Sequence, residues 1–128
     1  MERARTDGRW LTYASLQKEV ILIGLLSQEM RARLPPLYAN ETQGMTASVI
    51  VKYFTPDSNW TWYATEFDGE DIFFGLVVGH VIELGYFSLS ELESIRGPLG
   101  LLVEQDKNFE HISLQQLWDH YQKKGWAI

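Results

Sequence analysis

Cysteine is absent from the 128 residues of the chain. That excludes a disulfide framework, a thiolate metal centre and a cysteine nucleophile, and it suits a reducing, cytoplasmic setting. Long apolar runs are missing too. The longest, Val20 to Leu26, falls far short of the ~20 residues that a membrane-spanning helix needs. Lys18 and Glu19 interrupt its approach, so it does not read as a secretory leader. No membrane role is expected. Basic residues are scarce in the middle of the chain. Residues 55–110 hold eleven acids and only two bases, Arg96 and Lys107. Such a surface repels phosphates, so direct duplex nucleic-acid binding is not expected. Motifs are lacking as well. There is no HExxH or Gly-x-Ser-x-Gly spacing, and no P-loop lysine follows Gly97-Pro-Leu-Gly100.

What is present fits one soluble domain: 45% apolar and 22% charged residues in a chain of single-domain length. Residues 1–14 read as a flexible tail and 15–128 as the domain. Leu16, Val20, Ile23, Leu26, Met30 and Leu34 recur every three or four positions, which predicts a helix over 15–34. Ser27 offers the alternative of an N-cap for a shorter helix ending at Arg33. Pro35-Pro36 stops either helix.

Four strands follow, over 47–54, 60–67, 71–78 and 81–87, joined by short turns as an antiparallel meander. Asp68-Gly69 is the strongest hairpin signal among them. Alternation puts Trp60, Trp62 and Ala64 on one face. Gly75 and Gly85 inside strands point to bulges or close backbone approach, and to a groove beside Glu83 and Tyr86. Capping boxes beginning at Ser88, Ser90 and Ser113 open two further helices, to about Ile95 and to Lys124, with Gly125 capping the second. Leu101 to Glu104 is a candidate edge strand. The expected fold is α+β: a four- to five-stranded, mainly antiparallel sheet with the N- and C-terminal helices on one face.

Several segments resemble a family of small bacterial proteins catalogued only as a domain of unknown function. They are Arg31-Ala-Arg-Leu-Pro-Pro-Leu-Tyr38, Val51-Lys-Tyr-Phe-Thr-Pro56, the stretch from Ser58 to Asp71 (SNWTWYATEFDGED), Phe73-Phe-Gly-Leu-Val77 and Glu83 to Leu92 (ELGYFSLSEL). The resemblance spans about residues 22–112, with the helix after Ser113 as a variable end. It implies carriage on plasmids and integrative conjugative elements, and it implies no catalytic residue.

Two sets of residues are candidates for a binding surface. The carboxylates Glu66, Asp68, Glu70, Asp71 and Glu83 gather around the Asp68-Gly69 hairpin and the fourth strand. Glu66 and Asp71 should lie close together across that hairpin. The aromatics Trp60, Trp62 and Tyr86 offer protein-binding anchors if exposed, although packing within the sheet is the commoner fate of such residues. His80, His111 and His120 are scattered and form no motif. No cofactor is expected. The reading is a non-enzymatic accessory protein that binds another protein, an inhibitor of a host defence or nucleic-acid-processing system being one form of it. The alternative is a metal-dependent enzyme or metal-binding module, with Glu66, Asp71 and Glu83 as oxygen ligands. Homo-oligomerisation through an exposed edge strand is a third reading.

Overall fold

The computed structural model describes residues 2–6, 9–12, 17 and 24–124. Near the N-terminus, β1 (Glu2–Thr6) and β2 (Arg9–Thr12) pair as a separate antiparallel hairpin. This is a regular backbone element within the segment expected as a tail. The main sheet holds β3 (Val51–Phe54), β4 (Thr61–Phe67), β5 (Ile72–Val78), β6 (Ile82–Ser88) and β7 (Glu104–Gln105). Its order is β6-β5-β4-β3-β7, antiparallel throughout. The helices are α1 (Gln28–Arg33), α2 (Leu89–Ser94) and α3 (Leu114–Lys124). The expected α+β meander is present, and β7 extends it beyond β3.

Each helix begins where the sequence supplies an acceptor for the orphan N–H groups of its first turn. Ser27 caps α1 by accepting from the Met30 N–H, so the shorter of the two expected helices is the one described here. Residues 15–16 and 18–23 of the longer one lie outside the described residues, as does Gly125. Ser88 caps α2 by accepting from Glu91 N–H. Ser113 and Gln116 form a reciprocal box at α3: each side chain accepts from the other's backbone N–H, at 3.1 and 3.0 Å. Strand β3 is shorter than expected because the chain before it has another partner. Val49 N–H donates to Ile112 O, and Ser48 bridges Ser113.

The register of β4 breaks once. Ala64 faces Gly75, but Glu66 faces Phe74, leaving Thr65 as the extra residue of a bulge. The Thr65 hydroxyl donates to the Phe74 carbonyl at 3.1 Å, within the disturbed stretch of ladder. After the bulge the alternation is inverted. Phe67 joins Ala64 and Trp62 on one face, and Glu66 joins Tyr63 on the other.

The two faces carry two separate cores. On the first, Val51, Tyr53, Trp62, Phe67, Phe73 and Phe87 pack under Leu25, Leu26 and Leu34 around α1 and under Leu89 and Leu92 of α2. On the second, Tyr63, Leu76 and Val78 pack under Leu114, Leu117 and Tyr121 of α3. The terminal helices therefore cover opposite faces rather than one. The physical reason is that β4 and β5 are apolar on both sides, so one layer of helices would leave half of that surface in water. The Tyr63 and Tyr121 hydroxyls meet at 2.8 Å and tie α3 to the sheet. Burial, and then this hydrogen bond, raise the Tyr63 phenol far above its ordinary range.

Gly75 and Gly85 pair directly with each other in a regular register, and the bulge lies instead in β4, beside Ala64, the partner of Gly75. Gly75 does mark a close approach: a Cβ there would sit 1.7 Å from the Tyr63 carbonyl oxygen. A Cβ on Gly85 would meet nothing within 4 Å. Gly75→Ala should therefore lose about 2–3 kcal/mol, because only backbone movement can relieve the clash. Gly85→Ala should stay within about 0.5 kcal/mol of the wild type. Urea unfolding of the two variants checks this, and equal effects would refute the assignment.

Candidate functional site

The candidate carboxylates do not form one cluster. Glu66 is buried, and its two oxygens accept from Tyr38 N–H and Asn40 N–H, both at 2.9 Å. Asn40 Nδ2 donates to Thr65 O at 3.3 Å. The carboxylate thus fastens the 38–40 turn onto the bulge. Tyr38 takes φ 72°, the sole positive φ outside glycine among the described residues, and the clamp holds it there at a cost of about 1–2 kcal/mol.

Asp68 closes the β4–β5 turn. Its Oδ1 accepts from the N–H groups of Glu70, Asp71 and Ile72 at 2.8, 2.8 and 3.0 Å. These three donors hold its carboxyl below the ordinary range. Asp71 turns the other way and accepts from Ser90 N–H and Ser90 Oγ at 2.8 and 3.0 Å, at the start of α2. The expected approach of Glu66 to Asp71 is absent, for two reasons. The turn spans four residues, and the bulge sets Glu66 opposite Phe74. Glu70 is exposed in that turn.

Glu83 is exposed on β6 opposite Val77, six residues along from Asp71 and roughly 20 Å away. It also lies on the face opposite to Glu66. Among the described residues no group of three His, Asp or Glu side chains is placed to hold a metal ion.

The aromatic candidates divide as well. Trp62 is 5% exposed, within the first core. Trp60 is 37% exposed. Its ring stacks on Trp62 at 6.0 Å and meets His80 edge-on at 5.5 Å. A Cβ on Gly79 would lie 2.2 Å from the Trp60 ring, so the β5–β6 turn is fitted to that indole. Trp60 also lines a cavity of about 230 Å³ with Lys52, Thr55 and Tyr121.

Tyr86 is 56% exposed and stands at a larger groove of about 400 Å³ on the second face. Tyr38, Met45, Phe74 and Leu84 line it, with Glu41 and Glu66 as its acids. Phe74 and Tyr86 meet edge-on at 5.1 Å across β5 and β6. The Tyr86 phenol is raised above its ordinary value first by a hydrogen bond with Tyr38, then by desolvation and by nearby negative charge, Glu66 and Glu41 included. The expected concavity beside Tyr86 exists, but Glu83 does not line it.

A family model matches residues 25–125, which takes in the five-stranded sheet and the helices α1 to α3. The chain belongs to the DUF2958 family. Its description is a protein of unknown function. No curated protein and no solved structure gives a significant match. The DUF2958 match continues through α3, so the helix after Ser113 is part of the family unit and not a variable end. Among the described residues no helix is long and apolar enough to cross a membrane.

Tyr38, Met45 and Leu84 escaped the sequence reading of this DUF2958 groove. Leu84 was detectable, since it alternates with Ile82 and Tyr86. Tyr38 and Met45 gave no signal, because their part in the groove depends on the Glu66 clamp.

Glu66→Ala should lower stability by about 2–4 kcal/mol, because two N–H groups lose their acceptor. Glu66→Gln should fall between, keeping one acceptor, as urea unfolding would measure. Asp68 gives a pH signature. Its folded carboxyl titrates below the ordinary 3.8. Its stabilisation is therefore complete above that value and lost as pH falls through the lower folded value. The stability gap between wild type and Asp68→Asn should be constant above about pH 5 and narrow in more acidic solution. A gap that does not change with pH would refute it.

Proposed function

We propose that this protein is a non-enzymatic accessory factor that acts by binding another protein through the groove at Tyr38, Leu84 and Tyr86. One observation carries the reading. Three of the large apolar side chains most exposed to solvent, at 62%, 40% and 56%, converge on this single concavity. Exposed apolar surface that collects around a groove, with hydroxyls at its rim, is the usual form of a protein-recognition site. The two tyrosines supply rigid amphipathic anchors, the residue type that most often dominates binding energy.

The carboxylates argue in the same direction. Glu66, Asp68 and Asp71 are engaged with backbone N–H groups, which suits positioning more than acid–base work. The setting in a bacterial mobile element rests on the resemblance of the quoted motifs. In that setting a host defence or nucleic-acid-processing component is the favoured target.

Affinity capture from a bacterial host of the element tests the reading. Tyr86→Ala, with circular dichroism matching the wild type, should reduce recovery of a specific partner at least tenfold. Trp60→Ala should leave it within about twofold, as expected of a residue outside the hot spot. The opposite pattern would move the site to the β5–β6 turn. Unchanged recovery with both would defeat the proposal.

A further inference from the structure

Strand β6 is an edge of the sheet, and the hydrogen-bond pattern shows which of its groups are turned away from β5. Leu89 N–H donates to Asp71 O at 2.7 Å, and Gly79 N–H donates to Val81 O at 3.1 Å. Bonded pairs alternate along an antiparallel ladder. Between those two contacts the bonded pairs are therefore Phe73–Phe87, Gly75–Gly85 and Val77–Glu83. The N–H and C=O groups of Ile82, Leu84 and Tyr86 point away from β5. Among the described residues no backbone group answers them.

Edge strands are ordinarily blunted by lysine, proline, a bulge, shortness or a covering segment. The other edge follows that rule. Strand β7 has two residues, and the Gln17 carboxamide meets both the N–H and the C=O of the adjoining Leu102, as a paired strand would. Strand β6 has seven residues and a regular register, with no lysine and no proline. Glu83, Leu84 and Tyr86 within it are exposed.

The side chains beside this edge define what would fit it. Leu84 and Tyr86 project on the groove face, and Glu83 projects on the other. From Asp68 to Ile95 there are six acids and no lysine or arginine. The same charge disfavours a second copy, whose β6 would bring like acids to like.

The geometry points to an extended basic polypeptide as the occupant, adding antiparallel to the free edge of β6. Its apolar side chains would enter beside Leu84 and Tyr86, and its lysines or arginines would lie on the Glu83 side. This inference rests on the groove reading above and specifies the partner's chemistry. Main-chain hydrogen bonds supply affinity in such strand addition, and alternate side chains supply specificity. In antiparallel pairing the residue opposite Leu84 is itself bonded and shares its face. The amides that bond to β6 are therefore those of the partner's apolar residues.

The test uses the full chain and synthetic nonapeptides alternating lysine with valine. Binding is read by fluorescence anisotropy, and amide exchange by NMR. The Lys–Val peptide should bind and slow exchange at the Leu84 and Tyr86 amides at least tenfold. N-methylation of the valine amides should weaken binding at least tenfold, whereas N-methylation of the lysine backbone amides should change it less than threefold. A Glu–Val peptide should bind at least tenfold more weakly. Leu84→Pro removes an outward N–H without breaking the β5 ladder, and it should abolish binding. Because the N-methyl series is measured on unmodified protein, the result stands even if Leu84→Pro unfolds. Equal binding of the N-methyl-valine peptide, or equal binding of the Glu–Val peptide, overturns the inference. So does a concentration-dependent mass in light scattering that Leu84→Pro abolishes, which would make the occupant a second copy. No binding by any peptide overturns it too. The groove reading fails separately, only if captured partner is indifferent to Tyr86→Ala.

Discussion

One extra residue in β4 sets the geometry of the site. Thr65 is inserted where the ladder to β5 would otherwise run regularly, and every side chain after it changes face. Without the bulge Glu66 would point into the core beneath α1 and α2, where a carboxylate has no donor to meet. With it, Glu66 reaches Tyr38 and Asn40, and Phe67 fills the core position instead. The groove follows from that displacement. Its wall at Tyr38 is held by the Glu66 carboxylate, and its floor at Phe74 is the residue facing Glu66. The close contact at Gly75 lies beside the same irregularity, so the glycine and the bulge are two halves of one constraint.

Most of the fold was legible in the sequence because its signals are local. Serine caps with their partners three residues on, the Asp68-Gly69 turn and the alternation in β3 to β6 depend on near neighbours. What stayed hidden was non-local. Period-2 reasoning assigned Trp62 and Ala64 to a shared face correctly, then failed at Glu66, because nothing in Ala64-Thr-Glu66 announces a bulge. The placement of α1 and α3 on opposite faces was missed for a related reason. The near-continuous apolar run of β5 needs cover on both of its sides, a demand that the stripe of neither helix reveals by itself. The site was half legible: Tyr86 and Glu66 were named, but their partner Tyr38 lies 28 residues before Glu66 and meets it only in three dimensions.

The acidic middle of the chain takes on a different meaning once its carboxylates are located. Asp68 organises a turn, Asp71 secures the start of α2, and Glu66 anchors a loop. Asp57 accepts from Leu99 N–H and holds the 97–101 segment. These acids serve as acceptors for backbone donors that the strand and helix ladders leave over. Charge density in the sequence therefore overstated the free charge at any one point. Glu83 is the contrast: exposed on an edge strand, it keeps its charge available.

The two edges of the sheet are unequal, and that inequality bears on assembly. A filament of stacked sheets needs an acceptor edge and a donor edge on every subunit, so that each addition renews the template. Here the Gln17 carboxamide covers Leu102 beside the two-residue β7, whereas the seven residues of β6 meet no such cover among the described residues. Head-to-tail growth of the main sheet would have to template on the two-residue β7, which offers few main-chain groups to the next subunit. An exposed strand that would template a filament on a sheet with two long edges can, on this one, pair without the far edge offering an equal template to the next copy.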